Sequence, residues 1–156
     1  MKFLPEFQLV IVGKDKKLNI LKKIVSRHRL DKRIVIAGPQ HEVKPYLQAA
    51  DIFCLPSSYD SFPNAVLEAL CTALPVIVTN AVGIADAILS HQAGAVCDKT
   101  PKSIAHAIQE VWRNQDNISK NALLLSKNYD INIANQRWLD LYQRLISQKQ
   151  LGKLPQ

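Results

Sequence analysis

Residues 51–79 read DIFCLPSSYDSFPNAVLEALCTALPVIVT, and this stretch decides the fold. It opens on a short apolar run, Asp51 to Leu55, that is stopped by Pro56 and a polar turn. It closes on a second run, Pro75 to Thr79, rich in β-branched residues. Between them, residues 63–73 carry apolar side chains at helical spacing behind a proline, which suits the first turn of a helix because that turn needs no amide donor. Strand, helix and strand in close succession predict two parallel strands joined by a crossover.

Working outward, the same alternation continues. Further strands are predicted at Phe7 to Val12, Arg33 to Ala37 and Gly94 to Cys97, and amphipathic helices near 16–29, 42–49 and 83–90. The fold class is therefore α/β: a Rossmann-like, doubly wound parallel sheet with helices on both faces, its strands reading as apolar runs buried on both sides. In the first helix Leu18, Leu21, Ile24 and Val25 form one apolar stripe and leave the lysines to water. Past Asp98, Thr100-Pro101-Lys102-Ser103 is a helix-start signal with Thr100 as cap. Helices near 101–114, 118–127 and 131–148 follow, the last with Ile133, Trp138, Leu141, Tyr142 and Leu145 on a stripe. Residues 1–148 read as one domain and 149–156 as a polar tail expected to fray.

Composition sets the outer limits. With 47% apolar and 21% charged residues in 156, the chain can bury a core and is not of the disordered class. Cys54, Cys71 and Cys97 lie in apolar runs, spaced like neither a zinc ribbon nor a disulfide framework, and read as reduced core residues of a cytoplasmic protein. The opening apolar residues are cut short by Pro5 and Glu6, unlike a signal peptide. No apolar stretch approaches the roughly 20 residues that cross a bilayer.

The net charge of +7 is local, since residues 14–33 hold nine Lys/Arg against Asp15 and Asp31 and account for the whole excess. Such a patch is either a solvated face or an attraction to an anionic membrane surface, which would put the protein peripherally at the inner face of the cell membrane. No aromatic stacking set or binding motif points to nucleic acid.

In a doubly wound sheet, ligands bind outside the carboxyl ends of the strands. Four turns leave those ends: Gly13 to Asp15, Gly38 to His41, Pro56 to Phe62 and Thr79 to Gly83. Each is rich in glycine or small polar residues, as tight turns also are without any ligand. A helix beginning at Pro63 would present the amides of Asn64, Ala65 and Val66, with the positive end of its dipole, as an anion site of the kind that holds a diphosphate. Glu68, one turn beyond Asn64, leans back toward the same mouth and suits a pair of ribose hydroxyls. Asp60 lies ahead of the helix. From spacing alone the two carboxylates could equally be a cap and a solvated helix residue.

Asp60-Ser61-Phe62-Pro63-Asn64-Ala65-Val66-Leu67-Glu68-Ala69-Leu70-Cys71-Thr72-Ala73-Leu74-Pro75-Val76 resembles the signature of the family 4 glycosyltransferases, retaining enzymes built of two Rossmann-like domains. Ala49-Ala50-Asp51 through Pro56-Ser57 and the loop from Thr79 to Ile88 resemble that family as well, so the likeness runs from residue 7 to about 114. The resemblance implies the donor-binding C-terminal domain of an enzyme transferring a sugar from a UDP- or GDP-linked donor, in polysaccharide or lipopolysaccharide assembly. It implies that Glu68 grips the ribose and that Asp60 meets the sugar near the reacting carbon. Ser61, Phe62, Pro63, Asn64, Ala65 and Val66 would hold the diphosphate. Gly38, Pro39, His41 and Val43 would line the base pocket, and Gly13 and Gly83 would flank the phosphates. Neither a metal nor another cofactor is expected; His28, His41, His91 and His106 are scattered along the chain.

Departures from the signature are Asp60 in place of glutamate, Ser61 and Ala73 in place of glycines, and one glycine, Gly83, where two are usual. The family's first strand and helix of this domain, and its acceptor-binding N-terminal domain, are expected to be absent from the chain, leaving this stretch inactive alone. The alternative is a truncated, non-catalytic nucleotide- or partner-binding module.

Overall fold

The computed structural model describes residues 3–14 and 16–150, the side chains of 149 and 150 excepted. Five short parallel strands alternate with helices: β1 (Leu9–Val12), α1 (Leu18–Arg27), β2 (Ile34–Gly38), α2 (Lys44–Gln48), β3 (Phe53–Leu55), α3 (Asn64–Cys71), β4 (Val76–Thr79), α4 (Ala85–Ser90) and β5 (Gly94–Cys97). Three helices complete the chain: α5 (Pro101–Arg113), α6 (Gln115–Lys127) and α7 (Ile131–Gln150). The first two residues of the tail expected to fray continue α7, and the rest of it lies outside the described residues. Thr100 caps α5 as its sequence predicts, accepting the Ser103 amide at 3.2 Å.

The α/β alternation holds, but the strands form two hydrogen-bonded sheets. Among the described residues β1 pairs only with β2, and β3, β4 and β5 pair in that order. Every pairing is parallel, with Val10 beside Val35 in the first sheet and Cys54 beside Ile77 and Ala95 in the second.

Burial divides along the same line. In β4 no residue from Val76 to Val78 exceeds 1% exposure, whereas Val10 is 51% and Val35 54% exposed, so burial on both faces holds for β4, is only partial in β3 and β5, and fails at Val10 and Val35 of the first sheet. Val66, Leu70, Ile84, Ile88 and Leu125 pack on one face of the second sheet, against Val76 and Val78. Val111 and Ala107 of α5 cover the other, against Ile77. In α1 only Val25 is buried, and Ile24, expected on the apolar stripe, is 47% exposed. Cys54 and Cys97 are half-buried, but Cys71 is exposed and is no core residue, because it lies on the outer stripe of α3.

Three helices end alike. The residue after the C-cap of α1, α3 and α4 is Arg29, Ala73 and Gln92, with φ of 55°, 59° and 51°. In each, that residue's amide returns to the carbonyl three back and the next amide to the one five back, as in Ala73 to Leu70 and Leu74 to Ala69, both 3.0 Å. This is the Schellman arrangement, in which glycine is the usual residue at the left-handed position. The family glycine that Ala73 replaces therefore has a conformational reason, and here a Cβ is carried at a cost.

Candidate functional site

The predicted site residues lie at the carboxyl ends of the strands, in two groups. Gly13 and Gly38 follow and end β1 and β2, and the Gly13 amide donates to the Gly38 carbonyl at 2.8 Å. Pro39 and His41 are exposed beyond them. Val43 is the N-cap of α2 and packs against the core that holds Val66 and Leu70, which brings this turn beside α3.

The second group is more tightly built. Asp60 and Val82 form an isolated parallel bridge: the Asp60 amide donates to Ala81 at 3.2 Å, and the Gly83 amide donates to the Asp60 carbonyl at 2.9 Å. The loop after β3 is thus strapped to the loop after β4. Gly83 is required there, since a Cβ would lie 1.8 Å from the Ser61 carbonyl oxygen. Two further ties hold the same loop. The Thr79 hydroxyl donates to the Ser57 carbonyl at 2.5 Å, and the Lys99 ammonium donates to the Ser58 hydroxyl. Composition and spacing gave no sign of Lys99 or of the bridge, because pairing between loops far apart in sequence leaves no local pattern; only the glycine at 83 hinted at close approach.

At the helix mouth the register differs by one residue from expectation. Pro63 is the N-cap of α3, with ψ of 116°, and Asn64 is the first helical residue. The Pro63 carbonyl accepts the Val66 amide at 3.1 Å, so that amide is used inside the helix and Asn64 and Ala65 carry the outward pair. The Gly83 amide is likewise engaged, by Asp60. The Phe62 ring meets Tyr129 edge to face at 5.4 Å and ties the loop to the end of α6.

Val66, Ala69 and Leu70 form the buried face of α3, while Asn64, Ala65, Glu68 and Cys71 are exposed. Glu68 therefore stands on the open side of the helix, in one line with Asn64 at the mouth. Asp60 is half-buried on the loop ahead of α3, and Ser61 is exposed. The arrangement offers an anion two amides and a helix dipole, flanked by one carboxylate a turn deeper and one on a fixed loop.

His28 and His91 cap the ends of α1 and α4, and His106 pairs with Glu110 at 3.4 Å on the surface of α5. Arg33, counted in the basic patch, is partly buried and donates to the Leu4 carbonyl and to the Phe7 carbonyl, the latter at 2.9 Å. No helix among the described residues is long and apolar enough to cross a membrane.

The family described as glycosyl transferases group 1 matches residues 2–114. Among curated proteins, the chain is 34% identical over 113 residues to an N,N'-diacetylbacillosaminyl-diphospho-undecaprenol α-1,3-N-acetylgalactosaminyltransferase of Campylobacter jejuni, covering 70% of this chain and 30% of that protein. Among solved structures it superposes on a sucrose-phosphate synthase of Thermosynechococcus elongatus with a TM-score of 0.80 and 21% identity, over 92% of this chain and 40% of that one. Anabaena HepE, solved in complex with UDP, matches with a TM-score of 0.79 and 18% identity, over 90% of this chain and 42% of that one. The chain spans a third or less of the length of the curated relatives it first matches.

Proposed function

Because this chain belongs to the group 1 glycosyl transferases, we propose that it is the donor-holding part of an enzyme that transfers a sugar from a UDP- or GDP-linked donor, with retention, in the assembly of a surface or lipid-linked polysaccharide. The observation that carries this reading is the line of Asn64 and Glu68 on the open face of α3, which follows directly on a loop that Gly83 fixes in place. The Asn64 and Ala65 amides receive the diphosphate, Glu68 accepts the two ribose hydroxyls, and Asp60 faces the sugar. As the sugar–phosphate bond breaks, charge gathers on the leaving diphosphate, and preorganised amides stabilise it without reorganising. The reading calls for no metal. The acceptor-binding part and the first strand–helix unit of this domain come from outside the described residues, and the chain is inactive without them.

Titrating the 156-residue chain with UDP and with GDP, followed by NMR, tests this reading. One nucleotide is expected to shift the Asn64 and Ala65 amides at millimolar concentration, and Glu68→Ala to weaken that response at least tenfold. A response that leaves those amides still, or that survives Glu68→Ala unchanged, overturns it.

A second reading, a non-catalytic partner-binding module, draws on α7, whose Trp138, Leu139, Tyr142 and Ile146 are all exposed. Sugar transfer restored by adding a separately made acceptor domain excludes it. The basic residues of 14–33 are proposed to rest on anionic membrane; recovery with neutral vesicles equal to that with anionic ones removes this element.

A further inference from the structure

The donor reading leaves Lys99 unused, and we propose that it is a positioning residue: its ammonium, through Ser58, holds the loop that carries Asp60 in one arrangement before any ligand arrives.

The loop from Pro56 to Phe62 is fixed at two points by β4 and the turn after it. Thr79, 1% exposed, donates its hydroxyl to the Ser57 carbonyl at 2.5 Å. Asp60 is bridged through its amide to Ala81 and through its carbonyl to the Gly83 amide. Between these points lie Ser58 and Tyr59, both exposed, the tyrosine by 80%. A span with so little burial has little of its own to order it. Lys99 supplies a third point, donating to the Ser58 hydroxyl from just past the end of β5. The tie crosses the end of β4 and joins the loops of the two strands that flank it.

The base from which Lys99 reaches is itself rigid. On one side the Asp98 amide donates to the Ser103 hydroxyl at 3.1 Å, and on the other the Thr100 hydroxyl accepts the Ser103 amide at 3.2 Å. The turn that presents the lysine is therefore locked to the first turn of α5. In the loops that leave the second sheet, 56–62, 80–84 and 98–100, Lys99 is the one cation, so no neighbour in them can take its place.

A hydrogen bond between an exposed ammonium and a neutral hydroxyl competes with water at both ends and orders a long side chain, so it adds little to the stability of the fold. Its effect falls on the loop instead. A segment already held in one arrangement does not lose that freedom when a ligand binds, and affinity rises accordingly. The role rests on the donor reading, because the loop serves function through Asp60 and the mouth of α3.

The test uses the 156-residue chain with Lys99→Met, Lys99→Arg, Ser58→Ala and the Lys99→Met, Ser58→Ala pair, titrated with UDP and with GDP and followed by NMR at the Asn64 and Ala65 amides. For whichever nucleotide moves those amides in the parent chain, Lys99→Met and Ser58→Ala should each weaken binding about fivefold. The pair should lose no more than either alone, and Lys99→Arg should restore the parent affinity. Without ligand, the Asp60 and Gly83 amides should exchange about fivefold faster in both single variants, while the denaturant midpoint stays that of the parent.

A loss in Lys99→Met that Ser58→Ala does not share would mean that the ammonium meets the nucleotide itself, and losses that add in the pair would mean two separate contacts. Either overturns the proposal. So do parent affinity in Lys99→Met, failure of Lys99→Arg to restore it, unchanged exchange at Asp60 and Gly83, and a midpoint that falls along with affinity. If neither nucleotide moves Asn64 and Ala65 in the parent chain, the donor reading fails first and takes the positioning role with it.

Discussion

β1–β2 and β3–β4–β5 have the same kind of sequence and opposite surroundings. Val10 and Val35 are no less apolar or β-branched than Val76 and Val78, yet the first pair is half exposed and the second wholly covered. What differs is the supply of neighbours: α3, α4, α5 and α6 pack around the second sheet, while among the described residues α1 is the helix packed most against the first. A strand's composition states what it would bury, and the elements around it decide what is buried.

The comparison breaks most visibly if the two sheets prove equally important to stability. Ile77→Ala, in the covered central strand, is expected to cost about 3–4 kcal/mol in denaturant unfolding. Val35→Ala, at its exposed position in β2, should cost about 0.5 kcal/mol. Equal costs would mean that the first sheet is packed in solution in a way its exposure denies.

Next in size is Gly94→Ala. Its Cβ would lie 1.7 Å from the Val76 carbonyl oxygen, backbone that has no room to yield inside the second sheet. A loss of roughly 2–3 kcal/mol is expected in denaturant unfolding, and the same midpoint as the parent chain would show that β4 and β5 are not held this closely in solution.

Smaller, and opposite in sign, is Ala73→Gly at the left-handed end of α3. Relief of the Cβ conflict outweighs the added freedom of the unfolded chain, for a gain of about 1 kcal/mol, read as a rise in thermal midpoint. A fall in midpoint would show that the α3 turn is not held left-handed.

An effect that appears only at alkaline pH is confined to the second sheet. Burial, with a lesser push from Cys97, raises the Cys54 thiol from 9.0 to about 11. Between those values the unfolded chain ionises and the folded chain keeps its proton, so stability falls as pH rises from 9 toward 11. Burial, and after it Asp98, raises Cys97 too. Cys54→Ala should flatten most of that decline in urea midpoints measured across this range, and an unchanged slope would place its origin elsewhere.

Many local signals were legible. Thr100 before Pro101 marked its helix cap, the β-branched runs marked the strands to within two residues at each end, and the stretch from Asp60 to Val76 marked the family. The strap between Asp60 and Val82 was not legible, since it joins backbone to backbone across loops. Nor was the division into two sheets, which depends on which strand lies beside which and not on any one strand's residues. The one-residue shift at Pro63 came from ψ: a proline suits the first helical turn, but an extended ψ makes it the cap instead.

The contact of Phe7 with Trp112, and the separate stacking of Trp138 on Tyr142 at 5.9 Å, divide the chain's two indoles between distinct places. One lies on α5 beside the entry to β1 and the other on α7. Replacing Trp138 with phenylalanine therefore leaves a single indole beside Phe7, whose emission colour under excitation selective for tryptophan, and whose quenching by acrylamide, would report whether that contact forms in solution.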